Sequence, residues 1–462
     1  MTIWTPHLDQ YPGPRYKALA DAIAEAIVSG QLSPKTKLPT HRALADVLGV
    51  TVGTVTRGYA EAERRDLVTA RVGSGTYVRS KSDPTDFSLV DEQSNGMIDL
   101  SLSLPVPCRR DRLLKQGLER IYKNNERLSE MLNYTPEAGL LRHRQTGVQW
   151  LMLSGIAATV EQIIVCNGGQ HALSISLQAL THPGDLIFSE GLCFPGLLGA
   201  TRQLHLRHVG IPFDDQGIIP QQLEAFCQQY SPRVLYCTPN MHNPTTVCTP
   251  LERRLEIVEI CRRHDVSIIE DDVQPTQLQS DLRAYVELAP ERTFHIDSCS
   301  KALAGGLRVG FLFCPAERVT ATVRALQASV LTTPSLMAEL VTCWLEEGQA
   351  STLSHWQNEE IKARALIAKT ILADQSFQYQ DAGFNLWLNL PEKWRASQFV
   401  QCCAEQEVKI LSAESFAVGR YPSPQAVRIS LSSPATQDTL REGLERIRSL
   451  LEQDPPVEQT AF

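Results

Sequence analysis

The chain has 462 residues, 43% of them hydrophobic and 21% charged, with a net charge of −8. That balance excludes a disordered or fibrous chain, and the length calls for more than one core. No apolar run reaches the roughly 18 residues of a membrane span, and Met1-Thr2-Ile3-Trp4-Thr5-Pro6 has neither the basic start nor the apolar stretch of a secretion signal, so a cytoplasmic protein with no membrane partner is expected.

Charge divides unevenly. Residues 1–80 hold ten Lys/Arg against seven acids, a net of +3, which leaves −11 for the rest. A basic module on an acidic body points to nucleic-acid contact at one end. Arg15 to Ser29 place Tyr16, Leu19, Ile23 and Ile27 at helical spacing, and Gly30 stops the helix. Leu38-Pro39-Thr40 predicts a turn whose threonine caps a second helix carrying Leu44, Ala45 and Leu48, closed by Gly49. A third helix is expected from Thr51 through Val55 and Tyr59 to about Arg65. Two short helices joined by a tight turn form a helix-turn-helix pattern, in which the second offers its N-terminal end to DNA. Leu67 to Val78 then predicts two short strands with a glycine-rich tip, a wing.

The order of these pieces resembles the GntR-type winged helix-turn-helix. Tyr16, the Ser29-Gly30-x-Leu32-x-Pro34 turn, Leu38-Pro39-Thr40-x-Arg42-x-Leu44-Ala45, Leu48-Gly49-Val50-Thr51 and Gly73-Ser74-Gly75-Thr76-Tyr77-Val78 carry the resemblance. It implies a DNA-binding domain over residues 10–79, with Arg42, Thr51, Thr54, Arg57, Arg71, Ser74 and Thr76 turned to double-stranded operator DNA. Val52 and Thr56 stand where such proteins often have arginines, which implies fewer phosphate contacts.

Residues 80–97 are polar with little periodicity and read as a tether. Beyond Ile98, strands are expected at 162–166, 186–189, 204–209, 234–237, 266–270, 293–297 and 308–314, and helices at 170–180 and 251–264. Such alternation implies an α/β fold with a mainly parallel central sheet and functional loops at its strand ends. Twelve cysteines are scattered without a Cys-x-x-Cys pair, and those at 166, 237, 299 and 314 fall in apolar runs, so buried reduced thiols and no metal site are expected.

The strand ends carry the chemistry. Asp297-Ser298-Cys299-Ser300-Lys301-Ala302-Leu303-Ala304-Gly305-Gly306-Leu307-Arg308 sets a lysine between hydroxyls on one side and glycines with an arginine on the other. An amine that condenses with an aldehyde, flanked by groups that hold a phosphate, suits a phosphorylated aldehyde cofactor, although a lone lysine is more often a solvated surface charge. Upstream, Val266-Ser267-Ile268-Ile269-Glu270-Asp271-Asp272 is an apolar run that ends in acids. Such a strand can set a carboxylate against a ring nitrogen; capping the following helix is the plainer use. Asn167-Gly168-Gly169-Gln170 joins a strand to a helix whose N-terminus can cradle a phosphate.

Together these segments resemble the fold type I pyridoxal 5′-phosphate enzymes, the aspartate aminotransferase superfamily (aminotransferase class I/II). The resemblance covers roughly residues 98–450 and implies an aminotransferase-like, cofactor-binding domain over 98–455, with a smaller C-terminal α+β subdomain. It implies Lys301 as the residue that condenses with the cofactor and Asp271 as the partner of its ring nitrogen. Phe194 would stack on the ring and Asn243, in Asn243-Pro244-Thr245, would bond its phenolic oxygen. Ser298, Arg308 and Gly168, Gly169 and Gln170 would hold the phosphate. Tyr134, in Asn133-Tyr134-x-x-x-x-Gly139, would reach the phosphate of the neighbouring subunit in a homodimer. Arg428, in Ala426-Val427-Arg428-Ile429-Ser430, would pair with a substrate α-carboxylate. Thr246 stands where a glycine is usual, and Val273 and Gln274 where relatives place a tyrosine, so Gln274 is the candidate for a weaker hydrogen bond there.

Both domains in one chain look like the MocR subfamily of GntR regulators. The function implied is a pyridoxal phosphate-dependent, DNA-binding transcriptional regulator that senses the cofactor, or an amine or amino acid effector, through aldimine chemistry. The alternative is an active aminotransferase (a transferase) with an accessory DNA-binding domain, favoured by Lys301, Asp271, Asn243 and Arg428 and weakened by the replaced tyrosine.

Overall fold

Helix α1 (Arg15–Val28) buries Leu19, Ile23 and Ile27, the positions that recur on one helical face. The computed structural model describes residues 4–11, 13–33, 36–65, 67–71, 75–78, 96–108, 110–274 and 282–456. Helix α2 (His41–Leu48) starts at Thr40, whose Oγ1 accepts the Ala43 N–H at 3.3 Å, and ends at Gly49, whose φ of 63° is left-handed. Helix α3 (Val52–Arg64) is capped in the same way by Thr51, which accepts from the Thr54 N–H at 3.1 Å. β1 (Val68–Arg71) and β2 (Gly75–Val78) pair antiparallel and form the wing. Pro34, the wing-tip residues 72–74 and residues 80–95 of the expected tether lie outside the described residues.

The body opens with β3 (Ile98–Asp99), α4 (Asp111–Tyr122), α5 (Asn125–Met131) and α6 (Leu141–Leu153). Strands and helices then alternate: β4 (Ile163–Cys166), α7 (Gly169–Leu180), β5 (Leu186–Glu190), α8 (Pro195–Gln203), β6 (Arg207–Ile211), the short hairpin β7 (Phe213–Asp214) and β8 (Gly217–Ile218), then α9 (Pro220–Tyr230). β9 (Val234–Cys237), α10 (Leu251–Arg263), β10 (Ser267–Asp271), α11 (Tyr285–Leu288), β11 (Thr293–Ser298), α12 (Cys299–Ala302) and β12 (Gly310–Phe313) complete the sheet. Its order is β4-β12-β11-β10-β9-β5-β6, parallel except for β12, which runs antiparallel to both neighbours. Helices cover both faces, which is why β4, β5 and β9 to β12 read as nearly continuous apolar runs.

Two strand expectations shrink for local reasons. The strand expected at 204–209 begins at Arg207, because His205 takes a left-handed φ of 54° in the preceding turn. The strand expected at 308–314 begins at Gly310, because Arg308 has φ 49°.

Helices α13 (Val319–Val330), α14 (Ser335–Glu346) and α15 (Gln349–Ile371) lead into the C-terminal subdomain. There β13 (Phe377–Tyr379), β14 (Asn385–Asn389), α16 (Ala396–Glu405), β15 (Val408–Lys409), β16 (Leu411–Ser412), β17 (Ala426–Ser430) and α17 (Gln437–Glu452) form a four-stranded antiparallel sheet in the order β13-β14-β17-β16 with helices against it. β15 pairs with β3, so Ile98 and Leu100 share a core with Leu386, Val427 and Leu444. The segment that follows the tether therefore belongs to the C-terminal subdomain. No described helix is long and apolar enough to cross a membrane.

Candidate functional site

The carboxyl ends of β9, β10 and β11 and the loops beyond them converge with β17 of the smaller subdomain. Alternation along β10 buries Asp271 on the face of Ile269, towards α7. The Tyr236 hydroxyl, on the paired strand β9, donates to Asp271 Oδ2 at 2.7 Å. Burial raises the Asp271 pKa, and the bond from Tyr236 opposes that rise. On the opposite face Glu270 accepts from the Tyr285 and Val286 N–H groups and lies 2.9 Å from His295 Nδ1. Burial lowers the His295 pKa, but Glu270 outweighs it and holds the ring up at about 9.

Lys301 lies in the single turn of α12, which Ser298 caps by accepting the Ser300 N–H at 3.2 Å. Burial, with the Arg428 cation adding to it and Asp271 opposing, pushes the amine down to about 7. Its Nζ donates to the Ser103 carbonyl. Arg428, buried in β17, donates from Nη1 to Asn243 Oδ1 at 2.8 Å and from Nη2 to the Ser101 carbonyl, and its guanidinium lies 4.8 Å from the Phe416 ring centroid. Burial lowers its pKa to about 9, with Asp99 opposing. Because Asn243 Oδ1 is taken, its amide NH2 is the edge left to donate. Lys301 and Arg428 thus both grip residues 101–103, directly downstream of the tether.

A second group of donors lies at the N-terminus of α7, whose first N–H groups have no intrahelical partner. Gly168 has φ 79°, and a Cβ there would lie 2.6 Å from the Arg308 guanidinium. A Cβ on Gly169 would lie 2.7 Å from Val273. Arg308 also donates to the Ser300 hydroxyl at 3.1 Å and to the Asn167 carbonyl at 3.2 Å. Helix N-terminus, guanidinium and hydroxyl form a cradle of the kind a phosphate dianion fills. Ser298 spends its hydroxyl proton on the Val309 carbonyl at 3.1 Å, so Ser300 is the hydroxyl at the guanidinium. Gln170 donates to the Gly196 carbonyl at 3.0 Å, beside the half-buried Phe194 ring. Gln274 lines a cavity of about 310 Å³ with Asp272, Asp297 and Gln357, and its Oε1 is buried without a partner among the described residues. A cradle that any side chain would fill, a desolvated amine and the unpartnered donor Arg428 Nε fit pyridoxal 5′-phosphate and a carboxylate beside it.

Thr246 takes the left-handed φ of 64° that a glycine would supply, and its carbonyl accepts from Gln380 Nε2 at 2.6 Å. Tyr134 is 83% exposed, so its side chain is not packed into this site within its own chain.

In the N-terminal module, Arg42 and Thr51 are exposed, and Thr51 and Thr54 share a 2.9 Å hydroxyl contact at the start of α3. The Arg57 guanidinium lies over the Tyr16 ring, 4.3 Å from its centroid, in a cation–π contact, and the residue remains exposed. Arg64 and Arg65 turn inward to Glu61, and Arg65 also meets Asp21. Thr76 corrects the expectation that it faces DNA: alternation along β2 turns Thr76 and Val78 inward and leaves Gly75 exposed. Ser74 and the Arg71 side chain lie outside the described residues. Val52, which stands in place of an arginine, is exposed at the head of α3.

Sequence reasoning took Ser300 only as one of the hydroxyls beside Lys301 and gave no site role to Tyr236 or the 101–103 segment. Tyr236 and the 101–103 carbonyls acquire meaning only through strand pairing and subdomain docking.

Residues 109–447 match the family model for aminotransferase class I and II, and residues 15–78 the model for bacterial regulatory proteins of the gntR family. The chain is similar to the uncharacterized HTH-type transcriptional regulator YdeF of Bacillus subtilis (strain 168), 30% identical over 449 residues that cover 97% of each. It is 27% identical to the uncharacterized HTH-type transcriptional regulator YjiR of Escherichia coli (strain K12) over 478 residues, 94% of this chain and 98% of that one. Among solved structures, LysN, the alpha-aminoadipate aminotransferase of Thermus thermophilus complexed with N-(5′-phosphopyridoxyl)-L-leucine, has the same fold, with a TM-score of 0.71 at 24% identity over 79% of this chain and 95% of that one.

Proposed function

The chain belongs to the aminotransferase class I and II family, with a gntR-family domain ahead of it, and from that premise we propose a MocR-type transcriptional regulator that binds DNA, depends on pyridoxal 5′-phosphate and responds to an amino acid. When bound, the cofactor supplies an aldehyde that captures amines and a ring that withdraws electrons. Asp271 keeps the ring nitrogen protonated. The Asn243 amide and Gln274 border the phenolic oxygen, and Phe194 covers the ring. The α7 N-terminus at Gly168, Gly169 and Gln170 takes the phosphate together with Arg308 and Ser300, and Tyr134 of the partner subunit completes the cradle.

The observation that carries this reading is the Lys301 amine, held near neutrality by burial and set beside both Asp271 and Arg428. An amine poised at about 7 is a nucleophile at physiological pH, where a solvated lysine is not. Arg428 supports an α-carboxylate as the effector's second handle, because a forked guanidinium matches a carboxylate and its present acceptor, the Ser101 carbonyl, is uncharged. A cofactor joined to leucine, the ligand of LysN, has that carboxylate. Ligand binding then competes for the two groups that now hold residues 101–103, and so acts where the tether begins. Thr51, Thr54, Arg42 and Arg57 offer the DNA surface, and exposed Val52 suits a thymine methyl better than a phosphate. The alternative of an aminotransferase with an accessory head is not favoured, since relatives that match over nearly the whole of this chain, head included, are HTH-type regulators.

Spectral titration tests the reading. Purified protein mixed with pyridoxal 5′-phosphate gains a visible absorbance band, and Lys301→Ala does not. Wild-type protein that stays colourless would end this reading.

A further inference from the structure

Arg420 makes the close contacts between the C-terminal subdomain and the DNA-binding module. Arg420 sits on the loop between Phe416 and β17, and its Nη1 donates to the Ile27 carbonyl and, at 2.9 Å, to the Leu32 carbonyl. Ile27 lies in the last turn of α1, where its carbonyl also accepts the Gly30 N–H at 3.3 Å and the helix dipole favours a cation. Arg395 adds a looser contact, 3.9 Å from Glu63 of α3.

The loop that carries Arg420 is bound to the ligand site at its other end. Phe416 lies under the Arg428 guanidinium, and its carbonyl accepts the Cys193 N–H at 2.7 Å. Ala417 bridges Leu192, and the Val418 N–H donates to the Gly191 carbonyl at 3.0 Å. Tyr421 closes over Gly191, where a Cβ would lie 2.2 Å from its ring, and stacks on Phe213 with centroids 6.1 Å apart. Gly191 to Phe194 is the same turn that covers the ring site. On the module's side α1 is locked to α3, since Gly58 abuts Leu19 and Arg57 lies over Tyr16. An unbroken series of packed groups therefore runs from Arg428 through Phe416 and Arg420 to the recognition helix.

We propose that Arg420 and its loop are the docking surface by which the small subdomain grips the end of α1, and that this grip transmits occupancy of the cofactor site beside Arg428 to DNA. The contact falls on the end of α1, away from the start of α3, so docking sets the heading of the module and leaves its reading surface free. This rests on the regulatory reading above for its ligand, but the docking itself does not.

Two measurements on the full chain separate them. Hydrogen exchange of residues 24–32 in wild type and Arg420→Gln decides docking: exchange in the variant rises severalfold, with Arg420→Lys intermediate because it keeps a charge and a donor, while equal protection in all three overturns the proposal. Coupling is read as the affinity, at fixed salt, for a duplex selected by the wild type from a random pool, with and without pyridoxal 5′-phosphate. The cofactor shifts wild-type affinity by about fivefold or more. In Arg420→Gln the shift falls below about twofold while the absorbance titration is unchanged; a full shift in the variant overturns the coupling. Wild type that shows neither absorbance nor shift defeats the regulatory reading, and the exchange result still decides the docking.

Discussion

Lys301 is the residue on which the chemistry turns, and its environment sets a pH window. Its pKa is lowered to about 7, first by burial and then by Arg428. The neutral, nucleophilic form therefore gains ground as pH rises through about 7 and is nearly complete about one unit above. The rate of absorbance gain on mixing with pyridoxal 5′-phosphate is expected to climb from pH ~6 to ~8 and then level off; a rate still rising at pH ~10 would describe an ordinary lysine with a pKa of about 10.4. The motif around Lys301 was legible in the chain, but not the depth of that shift. Desolvation comes from α15 and the 101–103 segment, which reach Lys301 from distant parts of the sequence, as in the Gln357 amide that donates to its carbonyl at 2.8 Å. Asp271 is similar: a strand-end acid could be read from the run before it, whereas the Tyr236 hydroxyl that orients it arrives across the β9–β10 pairing.

Among elements, α5, α6 and α14 depend on one buried carboxylate. Glu339 of α14 accepts from Arg127 of α5 at 2.6 Å and from Arg142 Nε of α6 at 2.6 Å, and lies 2.8 Å from His143 Nε2. Burial alone would raise its pKa, yet His143 and Arg142 hold it down to about 2. Its contribution to stability is complete above the unfolded carboxylate range and is lost as pH falls towards about 2. Glu339→Ala strips the partner from Arg142 and His143, and breaking a buried pair from one side costs about 3–5 kcal/mol. Thermal unfolding of the variant at neutral pH should fall by several degrees, and a shift under about one degree would show the cluster to be neutral. The helices and caps themselves were legible: Thr40, Gly49 and Thr51 act locally, so α2 and α3 fall where spacing put them. Thr76 was misread because its facing depends on how β2 lies on the module's core.

The whole molecule leaves an apolar surface on the body. Leu114, Leu118 and Tyr122 line one face of α4, and Leu132, Tyr134 and Leu141 are exposed further along the chain. Contiguous exposed apolar groups of this kind mark contact surfaces, and a second copy of the chain is the occupant that would also bring in Tyr134. Tyr134→Phe should weaken cofactor retention by about tenfold or more, as loss of a hydrogen bond to a charged group implies. Coexpression with Lys301→Ala sharpens the test. In the hybrid dimer the intact lysine of the Tyr134→Phe chain faces the unaltered Tyr134 of its partner subunit, so tight binding returns to that site. Binding that stays weak in the hybrid would place Tyr134 within its own chain's site.

The amino-acid sequence by itself determined the parts whose causes are local. Helix periodicity and its caps, apolar strand runs, and the short motifs at Gly168, Asn243, Lys301 and Arg428 depend on neighbours within a few residues, and they sufficed for an α/β body behind a winged helix-turn-helix. Tertiary structure alone decided the antiparallel setting of β12, the Tyr236–Asp271 bond, the hold of Lys301 and Arg428 on residues 101–103, and the reach of Arg420 to α1. Each of these joins groups far apart in the chain, and which of them meet is settled by strand pairing and shared burial, which no local spacing encodes.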